Sequence, residues 1–353
     1  MASDPLIPGD GPILVTGGAG FIGSGFLHRY VPDLSGRQFV CIDSLGFAGM
    51  RENFAEIETA PNYAFEQIDI RDSAAVFDLF SRVDPDVVIN FAAETHVDRS
   101  IVDPGSYVTT NVNGTFNLLE AARRTWTNLN GRRFHHVSTD EVFGSLGETG
   151  VFTETTPYDP SSPYSASKAA SDHLVRAYHR TYGMPVTISN CSNNYGPRQF
   201  PEKLIPLFTT NANLGKPLPI YGRGINVRDW LFVIDHCEAI WRIATSPFVG
   251  ETFNVGGNSE RSNLQVVDAI LDAVAGHTGK DRDELDRLKT FVADRPGHDL
   301  RYAIDASKLR DKLGWEPTVV FEEGIRQTVG WYLDHPEWCV KARELRDREK
   351  LSV

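Results

Sequence analysis

A tyrosine and a lysine four residues apart, Tyr164 and Lys168, form one chemical unit if they lie on a helix, because i,i+4 side chains share a face. A free phenol ionises at about pH 10, too high for a base at neutral pH. A neighbouring ammonium favours the phenolate and lowers that value, so Tyr164 could take a proton from a substrate hydroxyl. On an arbitrary helix such a pair is usually an ordinary surface contact. Ser138, Thr139, Asp140 and Glu141 end the run RFHHV, where the Thr139 hydroxyl could hydrogen-bond a substrate hydroxyl together with Tyr164. The adjacent carboxyls Asp140 and Glu141 suit elimination of water, which needs one group to protonate a leaving oxygen and another to remove a proton from carbon. Consecutive side chains of a strand point to opposite faces. Both acids can therefore reach one substrate only if the chain leaves strand geometry near Thr139; otherwise one is exposed and the other caps a turn.

The elements that would position these groups are legible upstream. TGGAGFIG follows the apolar run PILV and opens an amphipathic stretch, with Gly17, Gly20 and Gly23 in G-x-x-G-x-x-G spacing. The first glycine permits a tight turn, the second lets backbone approach a pyrophosphate, and the third lets helix and strand pack closely. Phe21 and Ile22 lie at the expected helix N-terminus, where free N–H groups attract an anion. Asp43 ends the next strand, QFVCID, about 20 residues after Gly23, where an acid holds ribose hydroxyls and repels a 2′-phosphate. NAD is the expected cofactor. Asp69 and Ile70, in IDIRD, are placed to meet its adenine, and the small residues Ala92 and Ala93, in FAAETH, would let it pass closely. Taken separately, each of these could be a turn cap or simple packing.

Strand-like runs (PILVTG, QFVCID, YAFEQID, DVVINFAA and RFHHVST) alternate with helical ones (FIGSGFLHRYV, SAAVFDLFSR and SYVTTNVNGTFNLLEAARR). This is the pattern of βαβ units in an α/β fold: a Rossmann-type, doubly wound parallel sheet with helices on both faces. A long helix is expected over 164–182, stopped by Gly183 and Pro185. Beyond PVTISN the chain becomes rich in Pro and Gly, as in NNYGPRQFPEKLIP and LGKPLPIYGRG. The expected division is an NAD-binding domain over 1–190, rejoined by 229–256, and a smaller, mainly substrate-binding α/β domain within 191–353. The charged tail KARELRDREKLSV reads as a solvated helix. At 353 residues, 41% hydrophobic and 23% charged, the chain can bury a sizeable core. Its net charge of −12 argues against a general nucleic-acid surface. No apolar run is long enough for a bilayer, and MASDPLIPGDG has neither the basic start nor the apolar core of a secretory signal. Four scattered cysteines form no C-x-x-C pair, which fits a reducing cytoplasm. His96, His135, His136 and His298 have no metal-ligand spacing, so no metal is expected.

Together these residues resemble the extended short-chain dehydrogenase/reductase family over about residues 13–317. Within that family the chain is similar to the dTDP-glucose 4,6-dehydratase group. GGAGFIG and YSASK mark only the superfamily; AAETHVDRSI, STDEVFG, NCSNNYGPRQFPEKLIP, PIYGRGINVRDW and DRPGHD are more specific. The resemblance implies that Tyr164, with Thr139 and Lys168, deprotonates a sugar 4-hydroxyl, that Glu141 removes the C5 proton, and that Asp140 protonates the departing 6-hydroxyl. It places Thr110 and Asn194 at NAD, and Thr95 at the sugar of dTDP-glucose. Asn193, Lys203, Leu204, Pro219, Tyr221, Arg228, Asn263, Arg295 and His298 would hold the rest of that substrate. Guanidinium forks suit phosphate oxygens, although without the resemblance Arg228 and Arg295 would read as surface ion pairs. A homodimer built partly on helices around 111–124 and 164–182 is also implied. Phe91 and Arg198 depart from the group's usual Leu and aromatic residue. The rival expectations are a UDP-hexose 4-epimerase or UDP-glucuronate decarboxylase on the same scaffold, or a regulatory protein that binds NAD without turnover. Asp140 and Glu141 speak against all three.

Overall fold

The structure is a computed structural model that describes residues 8–294 and 299–350. Its central element is a seven-stranded parallel sheet of β1 (Ile13–Thr16), β2 (Phe39–Asp43), β3 (Tyr63–Gln67), β4 (Val87–Asn90), β5 (Arg133–Thr139), β6 (Val186–Cys191) and β10 (Glu251–Val255). The spatial order is β3-β2-β1-β4-β5-β6-β10. The order reverses between β1 and β4, and at such a switch point a doubly wound sheet opens a crevice outside the carboxyl ends of its strands. β1, β4, β5 and β6 are buried along their whole length, as expected for parallel strands covered on both faces. One face packs Leu14, Val88 and Ile188 against helices Ser73–Val83 and Thr115–Thr125. The other packs Ile13, Val15 and Ile89 against Phe26 of helix Phe21–Asp33 and against Val233, Cys237 and Ile240 of helix Val233–Ala244. Each such side chain contributes about 1.5–3 kcal/mol on burial.

The second layer starts directly after β6. β7 (Asn193–Tyr195) pairs with β9 (Val227–Phe232), which pairs with β11 (Glu260–Ser262). β8 (Leu218–Tyr221) pairs separately with β12 (Lys289–Val292). Helices Leu204–Asn213, Asn263–Thr278 and Phe321–Asp334 enclose the core of this layer around Phe208, Ile270 and Ile325. Among the described residues, no helix is long and apolar enough to cross a membrane.

Two elements differ from the sequence reading. The stretch expected as one helix over 106–124 is interrupted by a π-helical segment, Val108–Gly114, between Pro104–Tyr107 and Thr115–Thr125. Tertiary bonds from Asn111 account for it: its side chain accepts from Glu94 N (2.8 Å) and donates to Glu94 O (3.0 Å) and Ser167 Oγ (2.8 Å). Widened turns of this kind recur at functional sites, and this one carries Thr110 to the crevice wall. The tail is helical from Pro336 to Lys350, but it is not solvated all round. Trp338, Cys339 and Ala342 are buried with Met50, Phe200 and Tyr332, and Trp338 Nε1 donates to Asn53 Oδ1 (2.8 Å).

The glycine turn has almost no spare room. A Cβ on Gly17, whose φ is +71°, would lie 2.6 Å from Ala92 N. A Cβ on Gly23 would strike Gly17 O and stand 2.9 Å from Gly18 Cα. Gly23→Ala should therefore lower stability by about 1–3 kcal/mol in urea denaturation, since overpacking against backbone cannot relax cheaply. Gly36→Ala, whose Cβ meets nothing within 4 Å, should stay within about 0.5 kcal/mol.

Candidate active site

A crevice of about 350 Å³ opens over the carboxyl ends of the central strands. Gly17, Gly20, Phe21, Ile22 and Gly23 form one end, followed by Asp43, Asp69, Ile70, Ala92, Ala93 and Thr110 along the wall. Thr139, Asp140, Glu141, Tyr164 and Lys168 line the other end with Thr95, Asn193, Asn194 and Lys203. Leu204, Pro219, Tyr221, Arg228 and Asn263 do not line it; they stand on the second layer, at the start of helix Leu204–Asn213, in β8 and β9, and at the start of helix Asn263–Thr278. Arg295 and His298 lie outside the described residues. Sequence reasoning did not pick out Phe47, Glu94, Cys191, Gln199, Phe200 and Glu202, which also line the crevice. Their only signal was position, each lying on a loop or strand end at this edge of the sheet.

The glycine end fits a dinucleotide. Gly20 caps helix Phe21–Asp33 without any side-chain hydrogen bond to the first turn, leaving N–H groups there for an anion. Asp43 Oδ2 accepts from Ala19 N (3.0 Å), and Oδ1 accepts from Leu45 N (2.8 Å). The acid is thus a turn cap and a crevice residue at once, because each carboxylate oxygen has a second lone pair. Burial raises its pKa and the two backbone bonds oppose the rise.

The chain leaves strand geometry where two acids on one substrate require it to. β5 stops at Thr139, whose hydroxyl accepts from Glu141 N (3.3 Å) and starts the 3₁₀ turn Asp140–Phe143. That turn brings Asp140 and Glu141 to the same crevice. Their environments differ. Asp140 is 1% exposed, and burial pushes its carboxyl well above the usual range; Glu141 and Asp229 reinforce the rise and Arg228 opposes it. A protonated Asp140 beside a second acid is the arrangement that splits donor and acceptor roles.

Helix Pro163–Tyr182 positions the other pair. Ser162 and Ser165 form a reciprocal cap at its start, Pro163 is its first residue, and Gly183 closes it at φ +69°. Tyr164 and Lys168 face the crevice from its first two turns. Among the protein's own groups, burial dominates the Tyr164 phenol. Burial raises it well above 10, as do Glu141, Cys191 and Asp140, and only the Thr139 hydrogen bond pulls it down. Lys168 Nζ instead donates to Val137 O (2.8 Å) and meets His136 Nε2 at 3.3 Å. Burial brings its own pKa down to about 8, against the opposing pull of Asp172 and Cys191.

The family model for GDP-mannose 4,6 dehydratase matches residues 14–328. A dTDP-glucose 4,6-dehydratase of Xanthomonas campestris pv. campestris is 57% identical, with 92% of this chain and 94% of that protein covered. The chain belongs to the dTDP-glucose 4,6-dehydratase family. A family structure from Streptomyces venezuelae, solved with NAD bound, is 44% identical with a TM-score of 0.85, covering 93% of this chain and 98% of that one. The UDP-glucose 4-epimerase of Thermotoga maritima, solved with UDP-glucose, has a TM-score of 0.82 at 29% identity, covering 92% and 99%. Dehydratases and epimerases thus share this scaffold, so the fold alone does not decide the reaction.

Asp140 has a folded-state pKa above its unfolded value, so the stability it contributes is full below about pH 3.8 and is lost as pH rises through the folded value. Asp140→Asn removes that ionisation. Its thermal midpoint relative to the parent protein should therefore rise between about pH 5 and about pH 8; melts at both values check this.

Proposed function

We propose that the protein is a lyase that converts dTDP-glucose to dTDP-4-keto-6-deoxyglucose and water. The observation that carries the reading is the meeting, in one crevice, of a Tyr–Lys pair with two acids in different environments, Asp140 buried with its carboxyl pushed up and Glu141 half-buried. An epimerase or a pure NAD binder has no use for the second feature. NAD, when bound, accepts a hydride from C4 and returns it to C6 in the same turnover. The half-buried carboxylate of Asp43, on the crevice wall, favours it over a 2′-phosphorylated cofactor.

Tyr164 takes the 4-hydroxyl proton, with Thr139 hydrogen-bonding the same oxygen. The ammonium of Lys168 and the positive charge of the oxidised cofactor together offset the upward pull of burial on the phenol. The resulting 4-ketone acidifies the C5 proton, which Glu141 removes, while protonated Asp140 delivers its proton to the departing 6-hydroxyl. The product keeps the nucleotide, and the cofactor ends as it began. Arg228, in β9 near Asp140, and Lys203, at the crevice edge, serve the diphosphate together with Asn193, Asn263, Arg295 and His298. Leu204, Pro219 and Tyr221 serve the base. In this reading residues 1–190 with 229–256 hold the cofactor, and the remainder of 191–353 closes over the nucleotide. Exposed Val108, Phe116 and Tyr182, on the π-helical stretch and the two long helices, support a homodimer through that face. Four free, buried cysteines support a reducing cytoplasm.

Product masses after incubation with dTDP-glucose, and separately with UDP-glucose, test the reaction. Loss of one water from the dTDP sugar is expected; an unchanged mass with a new isomer would make the protein an epimerase. Tyr164→Phe should abolish formation of bound NADH. Asp140→Asn should retain it and slow water loss by about 10²–10⁴-fold, as read by single-turnover absorbance and product mass.

A further inference from the structure

Beneath the crevice lies a buried charge cluster to which the reaction described above assigns no part. Asp172, one turn beyond Lys168 on helix Pro163–Tyr182, is fully buried. One oxygen, Oδ2, accepts from Tyr158 OH (2.7 Å), Ser138 Oγ (2.9 Å) and Asn190 Nδ2 (3.3 Å). Three donors converging on one oxygen are the setting of an anion. The other oxygen, Oδ1, accepts no hydrogen bond and lies 3.4 Å from His136 Nε2. The same ring nitrogen lies 3.3 Å from Lys168 Nζ. Asn90 Nδ2 meets the other ring nitrogen, Nδ1, at 3.0 Å, and Asn90 Oδ1 accepts from Thr16 Oγ1 at 2.6 Å. The imidazole is thus clamped between a buried ammonium and a buried carboxylate.

We infer that Asp172 is the counter-ion of Lys168, a positioning residue that keeps the lysine charged in a dry site, with His136 as the neutral spacer between them. The inference rests on the reading that Lys168 acts as an ammonium beside Tyr164. Two buried charges of opposite sign one helical turn apart hold each other ionised, and either alone is costly. Burial raises the Asp172 carboxyl, and the Lys168 and Arg176 charges with the Tyr158 and Ser138 hydrogen bonds oppose the rise. Lys168 faces Asp172 from its own helix, His136 from β5 and Cys191 from β6. Asp172 faces Lys168, Arg176 and Tyr158 in addition to His136. Burial and the Lys168 charge push the His136 ring well below its ordinary pKa, so it adds no competing positive charge. Arg176 is itself engaged with Tyr158 OH (2.7 Å) and Thr252 Oγ1 (3.2 Å). Asp140 and Glu141 act on the Tyr164 end of the pair. The negative charge that sustains the Lys168 ammonium therefore comes from below the crevice floor, where substrate never reaches.

The test is the titration of Lys168 in the NAD-bound protein without sugar nucleotide, by NMR of labelled lysine side chains assigned with Lys168→Arg. Asp172→Asn should lower the midpoint by about one pH unit or more, a tenfold change in the ionisation constant, and Asp172→Glu should recover most of it. In the same variant, the acid limb of the pH profile for NADH formation with dTDP-glucose should move to higher pH with KM unchanged, because an uncharged lysine leaves Tyr164 harder to ionise. Ser138→Ala removes one of the donors that hold the carboxylate ionised. Its midpoint should fall by less than that of Asp172→Asn, and it serves if Asp172→Asn does not fold. An unmoved midpoint in Asp172→Asn, or, where that variant does not fold, an unmoved or raised one in Ser138→Ala, would overturn the inference. Absence of NADH formation by the parent protein would instead count against the assigned reaction, and the titration does not depend on it.

Discussion

Desolvation at the carboxyl end of β5 is the constraint from which the rest of the site follows. Thr139, Asp140, Tyr164 and Lys168 are each under 9% exposed, so no group there can hold a charge by hydration. Whatever is ionised must be sustained by another protein group, and whatever cannot be sustained is neutral. This one condition gives Asp140 its proton, raises Tyr164 and lowers Lys168. It also makes the residues under the floor matter as much as those in the crevice.

The scaffold supplies this dryness by ordinary means. Parallel strands covered on both faces open a crevice at their carboxyl ends, where the strand order reverses. The edge becomes a site because the second layer begins at once: β6 ends at Cys191 and β7 starts at Asn193, so the chain crosses from one sheet to the other at the crevice itself. Phe47 and Phe200 meet edge-to-face, ring centroids 5.0 Å apart, joining the loop after Asp43 to the loop before Lys203. Arg198, one of the departures from the family pattern, adopts φ +69°, pairs with Glu56 (2.9 Å) and lies over the Trp331 ring. It braces the same junction and does not line the crevice.

Much of the architecture was legible in the sequence because it rests on local periodicity. The runs ending at Thr16, Asp43, Asn90 and Thr139, the glycine spacing and the helix stop at Gly183 all depend on residues close in sequence. What stayed hidden depends on partners far apart in the chain. Nothing near Asn111 announces a π-helical turn, since its cause is Glu94 and Ser167. A tail of alternating charges reads as solvated until Met50 and Phe200 arrive to cover Ala342. Asp172 looks like a routine helix residue, and His136 like a strand histidine, until the fold stacks them beneath Lys168. The weight of burial on Tyr164 was hidden too, because spacing reports which groups are neighbours but not how much water they have lost.

The tail helix carries a consequence for the order in which the molecule is completed. Trp338 reaches Asn53, and Tyr332 donates to Gly196 O and Gln199 O, so residues near the carboxyl end back both loops that frame the crevice. A chain emerging from the ribosome has its glycine turn, its Tyr–Lys helix and both acids well over a hundred residues before this buttress exists. Since domains consolidate as their segments emerge, the nascent protein passes through a stage with every reactive group in place and the crevice walls still unsupported. Competence therefore waits on helices that contribute no chemistry at all.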